Sequence, residues 1–169
     1  MAGYKGHIAG AVAACGVYVV GATFLPGNIL EQTGGLFSDW QFVAGLFVVA
    51  MLFGLWPDID TNSKGQDIFF GAAFLLDIVL IAQGYIEAAA YLGLLAMTPI
   101  IGKHRGWTHS KIAMVLVPLP IVLVSYLYRE SVAPTTLIIY GAAVTGYFSH
   151  LLLDGKITRH IAIRSRSAW

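Results

Sequence analysis

Six apolar runs alternate with short polar segments along the chain: Ile8 to Leu25, Gln41 to Trp56, Ile68 to Gln83, Ala88 to Ile101, Lys111 to Tyr128 and Thr135 to Leu153. Each is a helix candidate. A bilayer core is crossed by about 20 helical residues, with roughly 17 as the lower limit. The first, fifth and last runs meet that requirement comfortably, whereas the third and fourth are short. That pair predicts either two tilted spans or one re-entrant hairpin, and both arrangements enter and leave on the same side. The pattern therefore predicts an all-α, polytopic membrane protein with about six transmembrane helices.

Composition narrows the class further. The 169 residues are 57% hydrophobic and 11% charged, with a mean hydropathy of +0.74, too apolar for a soluble domain of this size. The net charge of +1 provides no global field for nucleic acid. Cys15 is alone within an apolar run, so no disulfide framework exists and the thiol is expected to pack as a small hydrophobe. Only Lys5 precedes the first run and no small-residue cleavage site follows it, so this run is expected to be retained rather than removed as a signal peptide. No repeat, low-complexity stretch or long linker divides the chain. Residues 1–169 are read as one integral membrane domain, whose basic tail over 156–169 serves as a topology anchor able to lie on anionic headgroups.

Charge placement sets the orientation. With the N-terminus inside, the inner segments carry Lys5, Lys64, Lys103, Arg105, Lys111, Lys156, Arg159, Arg164 and Arg166, and the outer ones only Arg129. Both termini are therefore expected to be cytoplasmic. The polar ends of the runs then fall together on that side: His7, Asp58, Asp60, His104, His109, His150 and Asp154, which include four of the five histidines.

Each of these features has a bland account beside the chemical one. His150 and Asp154 are spaced i, i+4, which stacks them on one helix face within reach of one metal, or simply lets them hydrogen-bond at a helix end. Asp58 and Asp60 follow Pro57, which disfavours helix at Trp56; on extended chain, residues i and i+2 point the same way and present hard oxygens to a divalent cation. Taken alone, they would more simply be solvated carboxylates in a turn. An EF-hand reading fails, since Ser63 stands where Gly is required and Phe69 where the closing Glu should be. In His104-Arg105-Gly106-Trp107-Thr108-His109-Ser110, Gly106 breaks the chain and Thr108 is a natural N-cap for the fifth run. Arg105 offers a planar fork for phosphate oxygens beside free amides at a helix start. Interfacial anchoring accounts for Lys103, Arg105 and Trp107, but not for two histidines. His7 alone would be an interfacial histidine. Asp77, deep in the third run, is a functional candidate by its depth; the competing account is a protonated carboxyl hydrogen-bonded to a neighbouring helix.

As a set, Gly6-His7-Ile8-Ala9-Gly10, Pro57-Asp58-Ile59-Asp60, the His104 to Ser110 segment and Ser149-His150-Leu151-Leu152-Leu153-Asp154 resemble the LexA-regulated, membrane-bound metal-dependent hydrolases, the YdjM-like family. The resemblance runs from residue 7 to about 155. It implies a divalent-metal site, a hydrolase activity and a bacterial inner membrane location. A looser likeness, by analogy alone, links the His and H-x-x-x-D elements to zinc-dependent phospholipase C and the P1-type nucleases.

Residues and resemblance converge on a membrane hydrolase. His7, Asp58, Asp60, His104, His109, His150 and Asp154 exceed what one tetrahedral metal needs and suffice for two ions sharing a carboxylate. Mixed His and Asp ligands favour zinc, with manganese or iron as alternatives. Asp58 or Asp60 would bridge ions or accept a proton from an activated water. Arg105, helped by Lys103 and Ser110, would bind the phosphate of a substrate such as a phospholipid headgroup. The ranked alternative is a divalent-cation transporter or regulator with Asp77 as a waypoint, which requires polar residues continuing across the membrane. A third reading, a structural membrane protein, leaves the one-sided gathering of ligand-type residues to chance.

The orientation is directly testable. Single cysteines at Lys64 and Ser131, in a Cys15→Ala background, are expected to label from opposite sides of the membrane. Labelling from one side would overturn the topology.

Overall fold

The computed structural model describes residues 3–24, 35–59, 64–101, 107–129 and 132–155. The described chain is helical throughout, with no strand among these residues: α1 (Tyr4–Ala22), a 3-10 turn (Leu36–Ser38), α2 (Trp40–Leu55), a second 3-10 turn (Trp56–Asp58), α3 (Lys64–Ala82), α4 (Ile86–Ile101), α5 (Lys111–Leu116), α6 (Leu119–Arg129) and α7 (Pro134–Leu153). Local signals account for several boundaries. Asp39 caps α2 by accepting from the Gln41 amide at 2.9 Å. Pro134 opens α7, where its missing N–H is not needed. Gly84, at φ +83°, makes the tight reversal between α3 and α4.

Four stretches are long and apolar enough to cross a membrane: Tyr4–Ala22, Trp40–Asp58, Lys64–Ala82 and Pro134–Leu153. Two expectations about length change. The third run starts earlier than its apolar pattern indicates, because Lys64 to Asp67 form its first turn, and the helix reaches 19 residues. The fifth run, expected to span comfortably, is broken into α5 and α6. Pro118 supplies no amide and its ring clashes with the carbonyl of the preceding turn, and Pro120 follows at once.

The bundle is organised around α1, α2 and α7, which pack on one another. With little hydrophobic driving force between helices in lipid, close approach of small residues is what holds such a trio. A Cβ on Gly54 would lie 2.8 Å from the Ala11 Cβ, and one on Gly10 would lie 2.6 Å from Leu153 Cδ1. Gly146 is tighter still, because a Cβ there would overlap the Ala50 backbone. Cys15 packs in this core with Leu46, Ala50, Ile138 and Ala142 and is a free thiol. Tyr18 pins α1 to α7 by donating to the Ile138 carbonyl at 2.9 Å.

A second core, built on Phe53, Trp56, Ile59, Phe69, Ala73, Tyr147 and Leu151, joins the α3–α4 hairpin to the trio. Its aromatic centre is Trp56, 1% exposed, whose ring lies 5.7 Å from Trp107 and 5.8 Å from Tyr147. Trp107 thus packs inward on Trp56. On the opposite side the hairpin presents Phe74, Leu75, Ile78, Val79 and Ile81 outward, as a lipid-facing surface would.

Gly146→Ala is expected to lower stability by about 1–3 kcal/mol, because the added methyl meets backbone rather than a flexible side chain. Thermal unfolding in detergent checks this. Gly16→Ala, where a Cβ meets nothing within 4 Å, serves as the neutral control.

Candidate metal centre

Four separate segments bring ligand-type side chains to one end of the bundle. His7 stands one turn into α1, Asp58 closes the 3-10 turn after α2, His109 precedes α5, and His150 and Asp154 lie on the last turn of α7 and its C-cap. The carboxylate of Asp58 is not carried on extended chain, as Pro57 suggested. Trp56 keeps helical dihedrals (φ −54°, ψ −38°) because its buried indole is held by Trp107 and Tyr147, and Pro57 fits the start of the new turn. Asp60, Lys103, His104 and Arg105 lie outside the described residues.

The nitrogen and oxygen atoms of this cluster form a compact arrangement. His109 Nε2 is 3.4 Å from Asp58 Oδ1 and 3.6 Å from Asp154 Oδ2. His150 Nε2 is 3.6 Å from each of the same two oxygens and 3.4 Å from His109 Nε2. One ligand atom from each of Asp58, His109, His150 and Asp154 lies within 4.8 Å of the other three. Zinc bonds of roughly 2.0–2.2 Å to nitrogen and oxygen give tetrahedral edges of roughly 3.3–3.6 Å, the range in which these five separations fall. His7 contacts the carboxylates from the other side, its Nε2 3.7 Å from Asp58 Oδ2 and 3.6 Å from Asp154 Oδ1. Its ring stacks on His150 at 3.8 Å between centroids and 17° between planes.

The donor set fits a cation. His150 Nδ1 lies 2.8 Å from the Gly54 carbonyl, which can only accept, so the proton sits on Nδ1 and the Nε2 lone pair faces the cluster. His150 is 0% exposed and His7 1%, yet both ring nitrogens of His7 and Oδ1 of Asp154 have no hydrogen-bond partner. A buried polar atom left unpaired costs about 1–3 kcal/mol. A divalent ion would satisfy His7 Nε2 and Asp154 Oδ1 together and offset the mutual repulsion of acceptors crowded in a low-dielectric site. The cluster opens on the side of Asp58, whose side chain is 29% exposed against 2% for Asp154.

Other residues play parts that their sequence context suggested only partly. Ser110, expected to contact substrate, caps α5 by accepting from the Ala113 amide at 3.0 Å. Thr108, the expected cap, is buried, with its hydroxyl 3.1 Å from His109 Nδ1 and its carbonyl accepting the Tyr147 hydroxyl. With Thr108 so engaged, the helix begins two residues later. Tyr147 and Gly54 were not legible as site residues. Tyr147 precedes His150 by three positions on the same helix face, a signal that could have marked it, whereas a backbone carbonyl such as that of Gly54 carries none. Asp77 stands apart from the cluster, with Oδ1 buried and unpaired and the carboxyl facing Gly93 of α4.

Tyr147→Phe keeps the buried ring and removes the only tie described between α7 and the Thr108 carbonyl. It is expected to weaken metal binding about tenfold or more, because it loosens the backbone next to the ligand His109. Competition against a chelator of known affinity checks it.

The sequence model described as YdjM inner membrane protein matches residues 1–162. No curated protein and no solved structure matches the chain. The match covers nearly the whole chain, including every segment that contributes to the cluster, and the protein therefore belongs to the YdjM inner membrane protein family.

Proposed function

We propose that this protein is a membrane-bound, metal-dependent hydrolase acting on a phosphoester such as a lipid headgroup. The observation that carries the reading is the convergence of His7, Asp58, His109, His150 and Asp154 at one end of apolar helices, with buried acceptor atoms left unpaired. Zinc is the favoured ion for this set, with manganese or iron as alternatives. A divalent ion bound there would activate water near neutral pH and polarise a phosphoryl oxygen.

The residues have separable tasks. His150, oriented through Gly54, and His109, held by the Thr108 segment, fix the ligand geometry. Asp58, the most exposed member, stands where the cluster opens and would hold the ion at the side from which water enters. Arg105, four positions before His109 in the sequence, is assigned to the non-bridging phosphate oxygens, with Lys103 as its helper. The ends of apolar helices present the site at headgroup depth, so a lipid substrate could leave its acyl chains in the bilayer.

The transporter reading receives less support. The open pocket of about 320 Å³ between α2, α3, α4, α6 and α7 is walled by Val49, Phe53, Leu76, Leu92, Ile121 and other apolar side chains, with Tyr91 its polar exception. That is a poor path for a divalent ion.

Zinc-loaded protein in detergent is expected to release headgroup phosphate from a phospholipid panel and to stop on chelation. Arg105→Lys should keep its metal yet lose about 100-fold or more in kcat, since an ammonium does not reproduce the bidentate fork. His150→Ala should lose both metal and turnover. Cation uptake into proteoliposomes without cleavage of any ester would replace the hydrolase with the transporter.

A further inference from the structure

We propose that the cluster holds two divalent ions bridged by both Asp58 and Asp154, with His7 as the histidine of the second ion. The inference rests on the metal-centre reading above and adds the number of ions and the division of ligands between them.

The division is written in the carboxylate oxygens. Asp58 turns Oδ1 toward His109 and His150 and Oδ2 toward His7. Asp154 does the same with its oxygens exchanged, Oδ2 toward His109 and His150 and Oδ1 toward His7. A single ion at the centre of the four-residue group would use Asp58 Oδ1, Asp154 Oδ2 and the two Nε2 atoms, four ligands in all. It would leave Asp154 Oδ1 and His7 Nε2, which face each other across 3.6 Å, buried without a hydrogen bond.

A plain hydrogen bond does not resolve this. His7 Nε2 lies 3.6 and 3.7 Å from the two oxygens it faces, beyond the 2.7–3.2 Å usual for N–H to oxygen. It also sits between them, as a ligand to an ion shared with both would. The stacking of His7 on His150 completes the geometry. Two nearly parallel rings 3.8 Å apart, both directing Nε2 at the same pair of carboxylates, place their in-plane lone pairs side by side. Their spacing matches the roughly 3.5–4 Å that separates ions in two-metal phosphoesterase sites.

The two positions differ in kind. The first is complete with His109, His150, Asp58 and Asp154, as a closed structural site is. The second has His7 and one oxygen from each aspartate, three side-chain ligands among the described residues, the number that protein side chains commonly supply to a catalytic ion.

The test counts metal in the full-length protein stripped by chelator and reloaded in detergent. Zinc is expected to reach two equivalents per chain in wild type and one in His7→Ala and His7→Gln. In a Co(II) titration, the first equivalent should give the intense absorption of a tetrahedral site in wild type and both variants alike. The second equivalent, with its exchange-coupled magnetic signal, should appear in wild type alone. One zinc per wild-type chain, or two coupled ions in the His7 variants, overturns the proposal. If the variants bind no metal, the wild-type count and coupling decide by themselves: two coupled ions sustain it and any other count overturns it. Ester cleavage by a one-ion protein would remove this inference and leave the hydrolase, whereas two coupled ions without cleavage would do the reverse.

Discussion

The backbone contact between α2 and α7 is the constraint on which the site depends. Both helices run toward the same end of the bundle, and Gly146 lies against Ala50 so closely that no side chain fits between them. One helical turn further, the same register sets His150 against the Gly54 carbonyl. A further four residues along both chains bring Asp58 and Asp154 to the cluster, where both face His109 and His150. The offset is constant over three rungs, so the contact that brings the helices together also orients the histidine and aligns the carboxylates. Widening the approach at Gly146 would shift the rungs that follow as well.

Helix α1 enters this register from the opposite direction. Ala11 fills the notch above Gly54, and the turn before it carries His7 onto the face of His150. Because α1 begins where α2 and α7 end, its first turn lies at the same depth as their last. The packing of α1 against the parallel pair α2 and α7 thus gathers residues distant in sequence at one end of the bundle. Beneath the ligands lies the layer of Trp56, Trp107 and Tyr147, each two or three residues from a ligand on the same segment. Large rigid rings in one packed layer fix three of the four ligand-bearing segments at once, which long aliphatic side chains would do less well.

The legibility of this arrangement followed the physics of each signal. Apolar runs mark helices well, and the histidines and aspartates at their ends were readable as one group because the bilayer restricts polar residues to its surfaces. Five of those residues meet as expected. Boundaries were less legible, since a proline states what it forbids and not what replaces it. Pro57 signalled the end of α2, but the chain continued into a 3-10 turn held by buried Trp56; Pro118 and Pro120 interrupted a run that hydropathy alone reads as continuous. The capping of α5 turned on a competition invisible in sequence, in which Thr108 was already engaged by His109 and Tyr147 and Ser110 took its place. Asp60, Lys103, His104 and Arg105 fall outside the described residues, so their part rests on the motif alone.

Membrane proteins tolerate buried ionisable groups where those groups face the bundle interior and find partners there. The cluster meets the first condition, and of its described members His150 and His109 find partners in Gly54 and Thr108, whereas the His7 nitrogens and Asp154 Oδ1 make no hydrogen bond. His7 is almost wholly buried with both nitrogens unpaired, although Thr, Ser or Tyr hydroxyls are within the repertoire of the neighbouring helices and satisfy His109 nearby. A histidine retained only to anchor a helix end would face headgroups or donate to a carbonyl, as His150 does through Gly54. Instead α1 holds His7 in a site whose remaining acceptors are carboxylate oxygens that point at it. A purely structural account must accept several unpaired buried atoms at about 1–3 kcal/mol each, in a bundle whose net stability is of the order of 5–15 kcal/mol. A cation held between His7 Nε2 and the carboxylates would offset much of that penalty.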